Sequence, residues 1–324
     1  MRPLTSHPHL ARAVAGAVAV ALLAACSAAP GDDGLSGPDP APTAPTTRTA
    51  EGPGAPGMPP IERYVAIGDS YTAAPYVPVT DLAGGCLRSD GNYPSLLAER
   101  LGADLVDVSC SGARSRDVLS PQRILDTRIV PQLDAVTPDA DLVTVSLGGN
   151  DEDLFATLVG LCTRVASQDP DPGAAPCRAE LAASGRDLDA TLARTEDRLV
   201  RVLERVSDAA PDARVVLVGY PHIVPPTGPG CEALPLASGD LDLARRVVVD
   251  LDQAMARAAD RAGVAYADVR AVTDGHDICA EDPWVNGAAR DTARALEYHP
   301  FDAHQRAVAD LLLELLEAPA DDSR

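Results

Sequence analysis

Short apolar runs rich in β-branched residues alternate along the chain with stretches in which apolar side chains return every three or four positions. The first pattern is typical of buried strands, and the second is typical of amphipathic helices. Strands are predicted at 64–67, 105–108, 142–147, 215–218 and 264–267. Strands that alternate with helices predict a parallel sheet covered on both faces. The functional residues of such a sheet collect beyond the carboxyl ends of its strands.

Three long helices follow from the same pattern. The first starts near Ser184, which forms a pair resembling a capping box with Asp187, and its apolar stripe ends before Pro211. The other two are predicted at 240–262 and 302–317. These helices are long enough to cover the faces of the predicted sheet.

The N-terminus has the pattern of an export signal. An uncharged run at 13–25 follows Arg12, and it is shorter than the roughly 20 residues that span a bilayer. The small residues before Cys26 resemble a bacterial lipoprotein signal, in which that cysteine carries the lipid. Cleavage within 27–29 is the alternative and would release a secreted protein. We expect residues 1–26 to be a lipoprotein-type signal segment, and the exported protein to be anchored outside the cell membrane through Cys26.

The segment that follows differs in composition from the rest of the chain. Residues 27–60 hold nine proline and six glycine residues and almost no aliphatic side chains, so they cannot bury enough apolar surface to offset the entropy of ordering. We expect a disordered tether there. Beyond it no internal repeat is visible, and one open α/β sheet can exceed about 200 residues. We therefore expect one domain at 61–317 and a disordered tail at 318–324.

Composition and charge exclude some classes of function. The chain is 46% hydrophobic, which argues for a packed core. Its 27 basic and 48 acidic residues give a net charge of −21, which argues against a protein that neutralises nucleic-acid phosphates. Nothing in the sequence marks a subunit interface, and we expect a monomer.

Four positions at the predicted strand ends or just before the last helix could carry chemistry. Ser70, in Gly-Asp-Ser after the first strand, is a candidate nucleophile, although that tripeptide is also common in turns. Gly112, after the second strand, could present its N–H group to a ligand. Asn150, after the third strand, could donate its amide to an oxyanion. His299 precedes the last helix and can reach the same edge of the sheet.

Taken together and in this order, these positions resemble the SGNH (GDSL) hydrolase family. Gly-Asp-Ser after the first strand, Gly-Gly-Asn-Asp after the third and His-Pro near the end match the blocks of that family. The cysteines and the Gly-Tyr-Pro at 219–221 make the chain most similar to secreted actinobacterial esterases and lipases with three disulfides. The resemblance implies a flavodoxin-like fold, a three-layer α/β/α sandwich around a mainly five-stranded parallel sheet.

The resemblance also implies a mechanism. Ser70 would attack an ester carbonyl, and His299 would take its proton as general base. The main-chain N–H groups of Ser70 and Gly112 and the amide of Asn150 would form the oxyanion hole. We therefore expect a serine esterase or lipase that acts on small-molecule or lipid esters and needs no metal or organic cofactor. His276 lacks zinc-type spacing to other ligands, so we expect no metal there.

The chain departs from the family pattern in three places. Leu296 stands where many members have an aspartate that orients the histidine, so its main-chain carbonyl is one candidate orienter and Glu297 is the other. His304 follows where the family often has glycine, and we expect it to be a surface residue rather than a second base. Ala74 replaces a glycine that often follows the nucleophile, which affects the expected shape of the acyl pocket.

Six cysteines remain after Cys26, and the sequence alone allows 15 pairings of them. The resemblance implies that neighbours in the sequence pair with each other. The implied disulfides are Cys86 with Cys110, Cys162 with Cys177, and Cys231 with Cys279.

Two other functions remain open at this point. The same serine site serves many acyl esters, so an envelope glycan deacetylase or a lysophospholipase is the nearest enzymatic alternative. A catalytically silent, tethered binding lipoprotein that keeps the fold is an alternative of a different class. The presence of Ser70, Asn150 and His299 together argues against it.

Overall fold

The computed structural model describes residues 60–82, 84–169, 171, 173–289 and 291–318. The predicted signal segment with Cys26, the predicted tether apart from Pro60, and the tail beyond residue 318 lie outside the described residues. Within the described ranges, no helix is both long enough and apolar enough to cross a membrane.

The described residues form seven strands. In chain order they are β1 Arg63–Gly68, β2 Asp104–Asp107, β3 Gln122–Ile124, β4 Thr127–Ile129, β5 Leu142–Ser146, β6 Arg214–Val218 and β7 Ala265–Ala267. Five of them form a parallel central sheet in the order β2-β1-β5-β6-β7, and β3 and β4 form a separate antiparallel hairpin. The five predicted strands are therefore the five strands of the sheet, and the hairpin was not predicted.

Helices cover the sheet and connect its strands. They are α1 Ser70–Ala73, α2 Tyr93–Leu101, α3 Thr163–Gln168, α4 Pro176–Ala183, α5 Leu188–Ala209, α6 Leu241–Ala262, α7 Val269–Val272 and α8 Asp302–Glu317. A π-helix covers Ala156–Cys162. Short 3₁₀ turns lie at Ser115–Val118, Gln132–Ala135, Asp151–Asp153 and Ser238–Asp240.

The alternation of side chains along β1 shows how the layers are built. Val65 and Ile67 pack in one apolar cluster with residues of α5 and α6. Tyr64 and Ala66 pack on the opposite face with residues of α2 and α8. Successive side chains of a strand point to opposite faces of the sheet, so both faces of this sheet are buried. The predicted three-layer α/β/α fold with a five-stranded parallel sheet is confirmed.

One predicted helix start was wrong. Asp187 caps α5, and its side chain accepts a hydrogen bond from the main-chain N–H of Ala190 at 2.9 Å. Ser184 instead closes the preceding helix, α4, where Gly185 takes a left-handed conformation with φ of 65°. The chain turns between the two residues, so Ser184 and Asp187 cannot belong to one capping box.

Three disulfides hold loops of the domain together. They join Cys86 to Cys110, Cys162 to Cys177, and Cys231 to Cys279. These are the pairs that the family resemblance implied. The first one matters for the carboxyl edge of the sheet, because it ties the segment after α1 to the segment after β2. A disulfide of this kind typically adds about 2 to 4 kcal/mol to the free energy of unfolding.

Candidate active site

Ser70 is the first residue of α1, directly beyond the carboxyl end of β1. The side chain of Asp69 caps this short helix by accepting the main-chain N–H of Tyr71 at 2.9 Å. Only glycine fits at position 68, because a Cβ atom there would lie 2.1 Å from Oγ1 of Thr72. The sharp turn places the Ser70 hydroxyl at the edge of the sheet where the sequence predicted a nucleophile.

His299 lies against Ser70, and its ring nitrogens have two different partners. Its Nε2 is 2.7 Å from the Oγ of Ser70, and its Nδ1 is 2.7 Å from the main-chain carbonyl of Glu297. A carbonyl oxygen can only accept, so Nδ1 carries the proton and Nε2 is left to accept the serine hydroxyl. Burial lowers the pKa of His299, which favours this neutral form.

The carbonyl that contacts the imidazole comes from Glu297 rather than from Leu296. The Leu296 carbonyl accepts the main-chain N–H of His299 at 3.1 Å and the side-chain amide of Asn286 at 3.1 Å. Between them, Tyr298 takes a left-handed conformation with φ of 60°, so the chain bends back on itself. The Leu296 carbonyl therefore does not orient the imidazole, as it was expected to do as one of two candidates, because it closes this turn instead. The expected type of contact, a main-chain carbonyl, is present.

His304 is buried, and the expectation of a surface residue was wrong. Neither of its ring nitrogens has a hydrogen-bond partner within the described residues. Burial lowers the pKa of His304 to about 3. The physical reason is its position in α8, where it begins a buried stripe with a spacing of four residues, continued by Val308, Leu312 and Leu316.

Asn150 contacts the residues next to Gly112 and Ser70 in the sequence. The Asn150 side-chain amide donates to the carbonyl of Ala113 at 3.1 Å and to the carboxyl group of Asp69 at 3.3 Å. Gly112 has φ of 75°, a conformation that side chains rarely adopt, so the loop after β2 depends on glycine at this point. Within the described residues, the main-chain amides of Ser70 and Gly112 have no hydrogen-bond acceptor.

Sequence reasoning missed the roles of Asp69 and Tyr220. The Tyr220 hydroxyl donates to the Asp69 carboxyl group at 2.6 Å and accepts the main-chain N–H of Gly149 at 3.0 Å. Burial raises the pKa of Asp69 to about 7. The signal was visible, because Tyr220 lies in the Gly-Tyr-Pro after β6 and Asp69 directly precedes Ser70, but only the fold brings them together.

Aromatic rings shield the buried face of the site. The Tyr71 ring lies 5.3 Å from the His299 ring between centroids, and it also contacts Phe155 and Tyr220. The Tyr71 hydroxyl donates to the carbonyl of Tyr298 at 2.8 Å, which supports the bend before the histidine. Burial lowers the pKa of His299, and the Tyr71 ring is part of what covers the imidazole.

The turn after Asn150 is held from outside by arginines. Glu152 has a left-handed φ of 50°, and its carboxylate accepts from Arg194 and from Arg198, each at 2.6 Å. These hydrogen bonds lower the pKa of Glu152 to about 2. Arg186 donates to the main-chain carbonyl of the same residue. Three cations thus stabilise an unfavourable backbone conformation two residues away from Asn150.

His276 takes no part in this arrangement. Its ring stacks on the ring of Trp284 at 3.7 Å between centroids, and its Nδ1 contacts the carbonyl of Asp282. Across the described ranges, no three or more histidine, cysteine or acidic side chains form a group that could hold a metal ion.

Comparison with known proteins places this geometry in a family. The sequence profile of the GDSL-like lipase/acylhydrolase family matches residues 66–307. The chain is 40% identical over 220 residues to "Lipase 2" of Streptomyces coelicolor, covering 67% of this chain and 72% of that protein. It is 30% identical over 239 residues to a lipase of Streptomyces rimosus, covering 73% and 80%.

Solved structures show the same likeness. Phospholipase A1 from Streptomyces albidoflavus superposes with a TM-score of 0.64 at 28% identity, covering 78% of this chain and 99% of that one. The extracellular lipase of Streptomyces rimosus superposes with a TM-score of 0.62, also at 28% identity and with the same coverage. The chain belongs to the GDSL-like lipase/acylhydrolase family. It is a carboxylic ester hydrolase of the GDSL type.

Proposed function

We propose that the protein hydrolyses carboxylic esters through an acyl-enzyme on Ser70, with His299 as general base. The observation that carries this proposal is the 2.7 Å contact between Ser70 Oγ and His299 Nε2. It lies within the range required for proton transfer from a nucleophile to its base. The opposite side of the imidazole donates to a carbonyl, so the ring is held in the tautomer that this role needs.

The steps follow from these contacts. Ser70 Oγ adds to the ester carbonyl carbon while its proton passes to Nε2 of His299. The imidazolium returns that proton to the alcohol oxygen as the carbon–oxygen bond breaks, which leaves the acyl group on Ser70. Water then repeats the sequence and releases the acid. The Glu297 carbonyl, 2.7 Å from Nδ1, stabilises the imidazolium as a fixed dipole that does not titrate.

The oxyanion hole is assigned to the N–H groups of Ser70 and Gly112 and to the Asn150 amide. The 3.3 Å hydrogen bond from this amide to Asp69 is longer than the 3.1 Å bond to Ala113. We propose that the amide proton in the longer bond, the one to Asp69, is the proton donated to the oxyanion as it develops. The bond to Ala113 then keeps the amide in place during the reaction.

A fluorophosphonate probe tests the nucleophile directly. The wild type should be labelled with one equivalent of the probe, and Ser70→Ala should not be labelled. Ser167→Ala is the matched control, because Ser167 is an exposed serine on α3 that lies outside the site. Equal labelling of wild type and Ser70→Ala would overturn the proposed mechanism.

Phospholipid esters are the second candidate substrate class, which includes the lysophospholipase alternative. The observation that favours it is the structural likeness to a phospholipase A1 over 99% of that chain. A panel of nitrophenyl esters, phospholipids and lysophospholipids separates the two. Release of fatty acid from phospholipid at rates above those for nitrophenyl esters would favour a phospholipase.

Export and anchoring are proposed from the sequence alone. Cys26 would carry the lipid, residues 27–60 would form a tether, and residues 61–317 would form one monomeric catalytic domain. Three disulfides in the domain support an oxidising compartment outside the cytosol. Mass spectrometry of the mature N-terminus tests the anchor, since an acylated cysteine at position 26 has a mass that ordinary cleavage does not produce. Sedimentation of the Cys26→Ser variant tests whether the protein is a monomer.

A further inference from the structure

Large apolar side chains that stay exposed fall in two segments only within the described part of the chain. One segment follows the turn that holds Ser70, and the other follows the loop that holds Gly112. These side chains are Val79, Leu82, Leu119, Leu125 and Val130. The loop after Leu82 reaches the hairpin formed by β3 and β4, because a Cβ atom on Gly85 would lie 3.3 Å from the side chain of Ile124. Large apolar side chains that stay exposed in one region of a protein are candidates for an interaction surface.

The hairpin formed by β3 and β4 has a sequence that does not favour its own stability. Leu125, at its tip, is 93% exposed and has a left-handed φ of 52°. Arg123 and Arg128 are directly opposite each other across the two strands, so their side chains share one face. Both arginines are exposed, and neither forms an ion pair within the described residues.

The base of the hairpin is fixed to the proposed oxyanion loop. Gln122 is buried, and its side-chain amide donates to the carbonyl of Ser111 at 2.9 Å. The same amide nitrogen lies 3.8 Å from the position of a Cβ atom on Gly112. A surface that engages the hairpin tip would therefore lie next to the mouth of the active site.

We propose that this hairpin docks the enzyme on an anionic lipid surface. Leu125 enters the acyl-chain region, while Arg123 and Arg128 contact headgroup phosphates. An apolar tip flanked by cations matches such a surface, since each arginine near an anionic bilayer adds to the attraction. The inference rests on the proposed function, because an ester hydrolase that acts on lipids needs its site turned toward them.

Charge also bears on how the protein would be oriented on the bilayer. The chain has a net charge of −21, so an anionic bilayer repels the protein as a whole. The hairpin carries one acid, Asp126, against its two arginines. Attraction at the hairpin against this overall repulsion favours an approach with the hairpin, and so with the carboxyl ends of the strands, facing the lipid.

Vesicle binding tests the proposal. The full chain is used with Cys26→Ser, so that an attached lipid cannot contribute, and with Ser70→Ala, so that the vesicles are not hydrolysed. It should co-sediment with vesicles of equal parts phosphatidylglycerol and phosphatidylcholine, and should bind pure phosphatidylcholine vesicles more weakly. Arg123→Gln with Arg128→Gln should weaken binding to the mixed vesicles by about tenfold or more. Leu125→Ser should weaken binding to both kinds of vesicle by about fivefold or more.

A matched control removes the same charge elsewhere. Arg201 and Arg205 are exposed on the last part of α5, near the opposite edge of the sheet. Arg201→Gln with Arg205→Gln should bind the mixed vesicles as the parent does. Equal weakening by both double variants would mean that net charge alone governs binding, and unchanged binding by the hairpin variants would overturn the proposal. The proposal would also be overturned if the sedimentation mass without lipid changed in the hairpin variants, because such a change would indicate that the hairpin mediates self-association.

Hydrolysis of a soluble short-chain nitrophenyl ester separates this inference from the proposed function. With Ser70 intact, the hairpin variants should keep the kcat/KM of the parent on that ester. A parallel loss of this activity would show that the hairpin acts through the structure of the site, which overturns the docking role. Hairpin-dependent vesicle binding in a protein without Ser70-dependent hydrolysis would instead leave docking intact and remove the catalytic proposal.

Discussion

The hydroxyl of Tyr220 donates a 2.6 Å hydrogen bond to the carboxyl group of Asp69, the residue directly before the proposed nucleophile. The same hydroxyl accepts the N–H of Gly149, the residue directly before Asn150. One side chain at the end of β6 thus connects the loops that follow β1 and β5. This relationship leads to the first prediction.

Tyr220→Phe should lower kcat about tenfold with little change in KM, because the Asn150 amide loses part of its support without losing its chemistry. Two buried partners would lose a hydrogen bond, and the free energy of unfolding should fall by about 1 to 3 kcal/mol. Steady-state kinetics and urea unfolding measure the two effects.

Tyr266→Phe is the control for Tyr220→Phe. Tyr266 donates to Asp252 at 2.5 Å and packs against Gly219, but its hydroxyl has no hydrogen bond to Asp69 or Gly149, so its loss should reduce stability and leave kcat unchanged. An equal drop in kcat for both variants would mean that Tyr220 acts on activity through stability alone.

Asn150→Ala should lower kcat by about 10² if the amide stabilises the oxyanion. Asn150→Asp should behave in the same way, because an ionised carboxylate cannot donate and its charge repels the oxyanion. Kinetics on a soluble nitrophenyl ester measure both variants. Near-normal turnover in either one would remove Asn150 from the oxyanion hole.

The loss of activity at low pH should report the protonation of His299. Only the neutral imidazole can accept the proton of Ser70, and burial lowers the pKa of His299 below its ordinary value of 6.5. The value of kcat/KM should therefore fall as the pH drops through a midpoint below 6.5. The charge of the Glu297 carboxylate raises the pKa of His299 and so opposes the effect of burial, and Glu297→Gln should therefore move the midpoint to lower pH. A midpoint above 6.5 in the wild type would contradict this assignment of the base.

Asp69 should make stability depend on pH. Burial raises its pKa from 3.8 to about 7, so the folded state binds a proton that the unfolded state has already lost between these values. The stabilisation is complete below pH 3.8 and is lost as the pH rises through about 7. Asp69→Asn removes the titrating group, so its free energy of unfolding should decline less over this range than that of the wild type. Parallel curves from urea unfolding across that range would show that Asp69 does not titrate there.

Much of the fold could be read from the local pattern of the chain. The run at 64–67 and the helix at 302–317 were predictable because burial on both faces and amphipathic periodicity are properties of consecutive residues. Gly263 was readable as the end of α6, because a left-handed residue after a helix favours glycine. The hairpin was missed, since three-residue strands carry too little periodicity to be recognised.

The candidate site also has features that the sequence predicts and features that it does not. Ser70, Asn150 and His299 could be named as candidates from the sequence because each lies in a short motif, at the end of a predicted strand or just before the last helix. Their motifs say which residues can do the chemistry. They do not say how far apart the side chains lie, because that distance depends on the packing of elements that are far apart in the sequence.

Tertiary structure alone decided the remaining points. The carbonyl of Glu297 rather than that of Leu296 faces the imidazole because Tyr298 bends the chain, and His304 is buried because of the face that α8 turns to the sheet. Tyr220 meets Asp69 across 151 positions of the sequence. The sequence determined the five strands of the sheet, the three long helices and the candidate site residues, since these depend on side-chain type and short-range spacing. Contacts between distant segments depend on how the layers pack, and only the folded chain specifies them.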